Sequence, residues 1–153
     1  MYGCGLRLSE ASRLTPAQID KDRLVIRVIG KGNKERLVPL SISLLEGLRQ
    51  AWTTHRNPAW VFANQPRGNP ICRRAIYSAF HRARKKAGLA PFTPHALRHS
   101  YATRLLELDV RVEIVRILLG HASVRTTQTY LHLTEPTRNR IQSVIHDLMC
   151  DLC

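Results

Sequence analysis

A chain of 153 residues with 44% hydrophobic content suits one globular domain built on a single core. No stretch approaches the roughly 20 apolar residues of a membrane span, and the opening Met1-Tyr2-Gly3-Cys4-Gly5-Leu6-Arg7 is not a signal peptide, so a soluble, cytoplasmic protein is expected. A formal net charge of +13 favours a polyanionic partner.

In chain order, residues 9–14 read as a short helix with Ser9 as N-cap, and Thr15-Pro16 stops it or starts another turn. Residues 23–29 are β-branched and read as a strand. The turn-rich Gly30-Lys31-Gly32-Asn33-Lys34-Glu35-Arg36 leads into a returning strand at Leu37-Val38-Pro39-Leu40, giving a hairpin with basic residues at its tip. After Ser41 the spacing of Leu44, Leu45, Leu48 and Trp52 is helical. Trp60-Val61-Phe62 reads as a short strand before a turn at residues 66–70. Residues 71–87 form an amphipathic helix, with Ile76, Ala79, Phe80 and Ala83 on one side and Arg73, Arg74, Arg84 and Lys85 on another; Gly88 suits its C′ position. A capping Thr93 with Pro94 at N1 opens a helix to about Leu108. Residues 112–119 form the next, ended by Gly120. Residues 123–132 are expected to be helical, and residues 135–148 form a last helix with Ile141, Val144, Ile145 and Leu148 apolar. The fold is therefore mainly α with one small antiparallel sheet, in one domain.

The charge is unevenly spread. Residues 1–22 carry three basic and three acidic side chains, residues 23–86 fourteen Lys/Arg against Glu35 and Glu46, and residues 87–153 seven against six. The excess lies in the middle segment, as expected of a surface that tracks a phosphate backbone. A protein kept soluble by charge, or one binding ribosomal RNA or anionic lipid, is the competing reading. Of the four cysteines, Cys4 and Cys72 stand apart and Cys150-x-x-Cys153 ends the chain. With His146 that pair makes three candidate ligands where a structural zinc site uses four, so a tail of reduced thiols and no bound metal is expected.

Chemistry concentrates in Thr93-Pro94-His95-Ala96-Leu97-Arg98-His99. His95 and Arg98 share one face near a helix N-terminus, where free N–H groups and the dipole favour a phosphate. Leu118-Leu119-Gly120-His121 puts another histidine just past a helix end, and Tyr130 follows nine residues later. Singly, each is more ordinary as a structural residue; His99 and His132 are equally plausible surface histidines.

Together they resemble the tyrosine recombinase (phage integrase) family, whose catalytic domain bears a G-x-G-L-R arginine, a hairpin lysine, an H-x-x-R box, an L-G-H segment and a C-terminal tyrosine. Gly3-Cys4-Gly5-Leu6-Arg7, Lys31, His95-Ala96-Leu97-Arg98, Leu119-Gly120-His121 and Tyr130 occur here in that order, over residues 1 to about 135, and read most like the Xer-type and integron-type branch. The resemblance implies a DNA breaking-rejoining fold and Tyr130 as nucleophile, giving a 3′-phosphotyrosine and a free 5′-hydroxyl without ATP, metal or other cofactor. Arg7 and Arg98 can clamp the nonbridging oxygens with forked donors that stay protonated, and His121 can add another. One preorganised donor of this kind is typically worth about 3–4 kcal/mol. Tyrosine, with a reference pKa of about 10, is a poor nucleophile at neutral pH. Neighbouring cations favour its phenolate, and His95 is the candidate proton acceptor or positioning group. By resemblance Lys31 protonates the leaving oxygen, with Lys34 on the same turn as its rival. Lys34 and Arg36 on the hairpin, and Arg73, Arg74, Arg84 and Lys85 on the amphipathic helix, are the expected contacts to double-stranded DNA. Self-association on DNA as a dimer or tetramer is expected in a synapse.

Family members usually carry an N-terminal DNA-clamping domain. Here Met1 lies six residues ahead of Arg7, so a catalytic domain without its clamp, weak and poorly specific on DNA, is expected. Two competing functions share these residues: a type IB topoisomerase and a catalytically silent DNA-binding remnant. The helix at residues 135–148 also has two readings, docking on a neighbouring protomer or packing on its own domain.

Overall fold

The β-branched run Val25-Ile26-Arg27-Val28-Ile29 forms strand β2 (Val25–Ile29) in the computed structural model, which describes residues 1–30, 35–64, 68–120 and 135–150. β2 pairs antiparallel with β3 (Glu35–Pro39) and, on its other edge, with the short β1 (Ile19–Asp20). Side chains alternate between faces along a strand, and both faces of this sheet are covered. Ile26, Val28 and Val38 pack with Cys4, Leu6, Leu14, Leu40 and Val61. Val25 and Leu37 face the other way, into a cluster with Tyr101, Leu105, Leu118, Ile141, Ile145 and Leu148.

The helices are α1 (Leu8–Ser12), α2 (Ile42–Thr53), α3 (Arg73–Lys86), α4 (Pro94–Glu107), α5 (Val112–Leu119) and α6 (Glu135–Cys150); a two-stranded ribbon of β4 (Ala63–Asn64) and β5 (Asn69–Pro70) precedes α3. Ser41 caps α2 by accepting from the Leu44 N–H at 3.1 Å. Gly88 closes α3 in the left-handed region at φ 66°, and Gly120 does the same for α5 at φ 67°. Helix α6 packs on its own domain: Ile141, Ile145 and Leu148 are buried. Among the described residues no helix is long and apolar enough to cross a membrane.

Several boundaries differ from the sequence expectation. Helix α1 starts at Leu8 with Arg7, not Ser9, as N-cap, because the Glu10 carboxylate accepts from the Arg7 backbone N–H at 2.7 Å. Trp60-Val61-Phe62 is not a strand. Val61 is tied by its N–H to the Leu14 carbonyl at 2.8 Å, and the ribbon begins two residues later. Thr93 occupies the N-cap of α4 but makes no side-chain cap bond. The helix expected over 123–132 and the cysteine at 153 lie outside the described residues.

Candidate active site

The G-x-G-L-R segment is shaped by Gly5. Its φ is +57°, and a Cβ there would stand 2.7 Å from the Tyr101 ring, so only glycine fits without strain. With the backbone seated on Tyr101, the Gly5 carbonyl accepts from Arg98 Nη1, which lies three residues before Tyr101 on α4. Arg98 is only 4% exposed. Two residues beyond Gly5, Arg7 is 37% exposed at its side chain and donates from Nη1 to Glu10 Oε1 at 2.9 Å.

The end of α5 gathers these arginines. A helix leaves its last carbonyls without intrahelical partners and carries a partial negative charge there. Three successive carbonyls are taken up by three guanidiniums: Leu118 accepts from Arg36 Nε at 2.9 Å, Leu119 from Arg98 Nη2, and Gly120 from Arg7 Nη2 at 3.4 Å. Gly120 is also where a side chain would collide with Arg36, its Cβ falling 3.1 Å from Arg36 Cδ and Nη1. His121 follows Gly120 directly in the chain.

Arg36 corrects the sequence reading. Expected as a surface contact to DNA, it is 2% exposed and forms a two-pronged ion pair with Glu10, Nη1 to Oε1 at 2.9 Å and Nη2 to Oε2 at 2.7 Å. The cause is strand register: Arg36 stands opposite Val28 in β3, on the inward face it shares with Val38. Glu10 was missed altogether, although its position three residues after Arg7 and a basic residue at an inward strand position were both readable signals.

Electrostatically, the cluster sets three guanidiniums against one carboxylate. Burial would raise the Glu10 carboxyl, but hydrogen bonds from Arg36 and Arg7, with the Arg36 charge, hold it down at about 2. Burial, and then the charges of Arg7 and Arg36, lower the Arg98 guanidinium to about 10 against the support of Glu10; it stays protonated at neutral pH. Such a site favours an entering anion, whose charge offsets the repulsion among the cations.

Of the other expected residues, His95 is exposed on the first turn of α4, one turn before Arg98. Arg73, Arg74 and Lys85 are exposed on α3 and Arg84 is half-buried there. Lys31, Lys34, His121 and Tyr130 lie outside the described residues. A cleft of about 460 Å³ opens beside the cluster, lined among others by Arg7, Glu10, Arg13, Val28 and Gly30, so the root of the hairpin borders the same space as Arg7. A larger cleft of about 670 Å³, between residues 16–23, β2 and α2, contains none of the expected site residues.

The chain is similar to several known proteins. The chain is 45% identical over 139 residues to tyrosine recombinase XerC of Haemophilus ducreyi, covering 87% of this chain and 45% of that protein. It is 36% identical to tyrosine recombinase XerD of Corynebacterium glutamicum, covering 95% and 50%. The chain spans about half the length of the curated relatives it matches. Among solved structures, XerA recombinase superposes with a TM-score of 0.70 at 29% identity over 92% of this chain and 53% of that one. XerH site-specific recombinase bound to its palindromic difH substrate, in a post-cleavage complex, gives 0.69 at 30% over 92% and 42%. The phage integrase family matches residues 1–136, and the chain belongs to that family.

Proposed function

We propose that this chain is the catalytic half of a site-specific DNA recombinase that cleaves and rejoins a strand through a covalent 3′-phosphotyrosine. The observation that carries the reading is the convergence of Arg7 and Arg98 on the end of α5, which builds a fixed cationic seat one residue before His121. Arg7, partly open to solvent, and Arg98, anchored behind it, hold the nonbridging oxygens of the scissile phosphate; His121 adds a third donor. Tyr130 attacks the phosphorus, with His95 taking or positioning its proton, and Lys31 (or Lys34) protonates the departing 5′-oxygen. The bond energy is kept in the phosphotyrosine, ready for attack by the 5′-hydroxyl of a second strand. No metal or other cofactor enters this scheme.

Helix α3 supplies the binding surface in this reading. It carries six Lys/Arg and no acidic residue, it buries none of its side chains completely, and it packs beside α1, next to Arg7. Arg73, Arg74, Arg84 and Lys85 then contact phosphates of double-stranded DNA, and Lys34 does so from the hairpin. The synaptic unit is a dimer or tetramer, formed with a DNA-clamping domain of the kind the family carries, in the bacterial cytoplasm on the nucleoid. The test is a nicked suicide duplex, from which the cleaved fragment diffuses away. A denaturant-resistant protein–DNA band, lost in Tyr130→Phe, is expected. Absence of the band at low salt would favour a silent DNA-binding remnant, and supercoil relaxation without strand exchange a topoisomerase.

A further inference from the structure

We propose that Arg36 is a positioning residue of the cleavage reaction, acting through Glu10 on Arg7 and holding the end of α5 at Leu118 and Gly120. The proposal rests on the reading of this site as a strand-cleavage centre. All three nitrogens of the Arg36 guanidinium point inward: Nε to the Leu118 carbonyl, Nη1 and Nη2 to the two oxygens of Glu10. At 2% exposure its guanidinium is spent on these protein partners. Its partners lie 82 and 26 residues away in the chain, so one side chain ties β3 to both α5 and α1.

The sharing of Glu10 gives this tie its chemical meaning. Oε1 accepts from Arg7 Nη1 and from Arg36 Nη1, each at 2.9 Å. Oε2 accepts from the Arg7 backbone N–H and from Arg36 Nη2, each at 2.7 Å. Each carboxylate oxygen is thus divided between the two arginines. Without Arg36 the whole negative charge of Glu10 would fall on Arg7, neutralising the one guanidinium of the cluster that is open to solvent. With Arg36 in place, Glu10 fixes the direction of Arg7 while leaving it cationic toward an incoming phosphate. Arg36 Cδ also lies against Gly120, at the end of α5.

The test is single-turnover cleavage of the nicked duplex at saturating DNA, with the dissociation constant, its salt dependence and the melting temperature measured in parallel. Arg36→Gln should lower the cleavage rate on the order of 100-fold, the scale of a catalytic group displaced by a mutation that does not touch substrate. Its DNA affinity and salt slope should stay as in the unmodified chain. Arg36→Lys should recover only part of the rate, because one ammonium lacks the planar fork that serves two oxygens and a carbonyl. The double variant Glu10→Gln/Arg36→Gln removes both halves of the buried ion pair together and strands neither partner, so it should fold even where Arg36→Gln alone does not, and should still cleave slowly. Unchanged cleavage in Arg36→Gln, or full cleavage in the double variant, would overturn the proposal and leave a buried ion pair of structural value alone. Loss confined to affinity, with a salt slope smaller by about one, would overturn it in favour of a phosphate contact. Failure of the unmodified chain to form any adduct would instead remove the reading of the site as a cleavage centre.

Discussion

Arginine occurs in two settings here, and they do different work. Around the end of α5, Arg7, Arg36 and Arg98 are held by backbone carbonyls and by Glu10, and two of them are nearly sealed from water. On α3, Arg73, Arg74, Arg82, Lys85 and Lys86 stand in solvent on a helix that completely buries no side chain. The buried group is geometrically fixed and poorly screened, so each member bears on the fold and, in the proposed reaction, on the chemistry. The exposed group is screened by salt and contributes through its number. A basic chain can thus divide its cations between a rigid anion seat and a broad, adjustable surface.

The contrast is most exposed to test at Arg98. Arg98→Lys keeps a charge but cannot reach the Gly5 and Leu119 carbonyls with one planar fork. Single-turnover cleavage should fall on the order of 10²–10³-fold, the scale of one lost transition-state donor, with DNA affinity nearly unchanged. A loss of affinity alone would place Arg98 with the surface group.

Glu10→Gln should lower stability as well as disturb Arg7. Holding the carboxyl at about 2 against an ordinary 4.5 corresponds to about 3 kcal/mol at neutral pH, at about 1.4 kcal/mol per pH unit. Because the folded value is depressed, this contribution is present above pH 4.5 and is lost as the pH falls toward 2. Urea unfolding across that range should show a steep acid limb in the unmodified chain and a shallower one in Glu10→Gln; coincident limbs would show that the pair has no such weight.

Two glycines sharpen the comparison further. Gly5 and Gly88 both have positive φ, but a Cβ at Gly5 meets the Tyr101 ring while one at Gly88, closing α3, meets nothing within 4 Å. Gly88→Ala should lower stability by about 1 kcal/mol, from the left-handed backbone alone. Gly5→Ala should add roughly 1–3 kcal/mol of overpacking to that. Equal melting temperatures for the two variants would contradict the tight seating of the G-x-G-L-R segment.

The smallest effect on fold and chemistry is expected on α3. Arg73→Gln/Arg74→Gln should change stability by less than about 0.5 kcal/mol. The log–log salt slope of DNA binding should fall by about two, near one per phosphate contact removed. Cleavage at saturating DNA should be unaffected; a large loss there would mean that α3 also shapes the site.

The sequence made the helices legible because their apolar spacing and glycine stops are local features: Gly88 and Gly120 end α3 and α5 as expected. Arg7 and Arg98, which meet at the end of α5, could be picked out together because motif order does not depend on knowing how the chain folds. Arg36 and Glu10 were less legible. Basic residues in a turn-rich hairpin read as surface until β3 is paired with β2, when Arg36 falls opposite Val28 and turns inward. Trp60-Val61-Phe62 misled for a related reason: Val61 is held by Leu14, a partner far along the chain that no local pattern indicates.

We propose that the cationic seat at the end of α5 serves a tyrosine nucleophile. This is tested most directly by digesting the covalent product formed on a nicked duplex and locating the attached nucleotide by mass. The expected result is a 3′-phosphonucleotide on Tyr130 and on no other residue. Attachment at a different side chain, or no attachment under conditions where the protein binds the duplex, would contradict it.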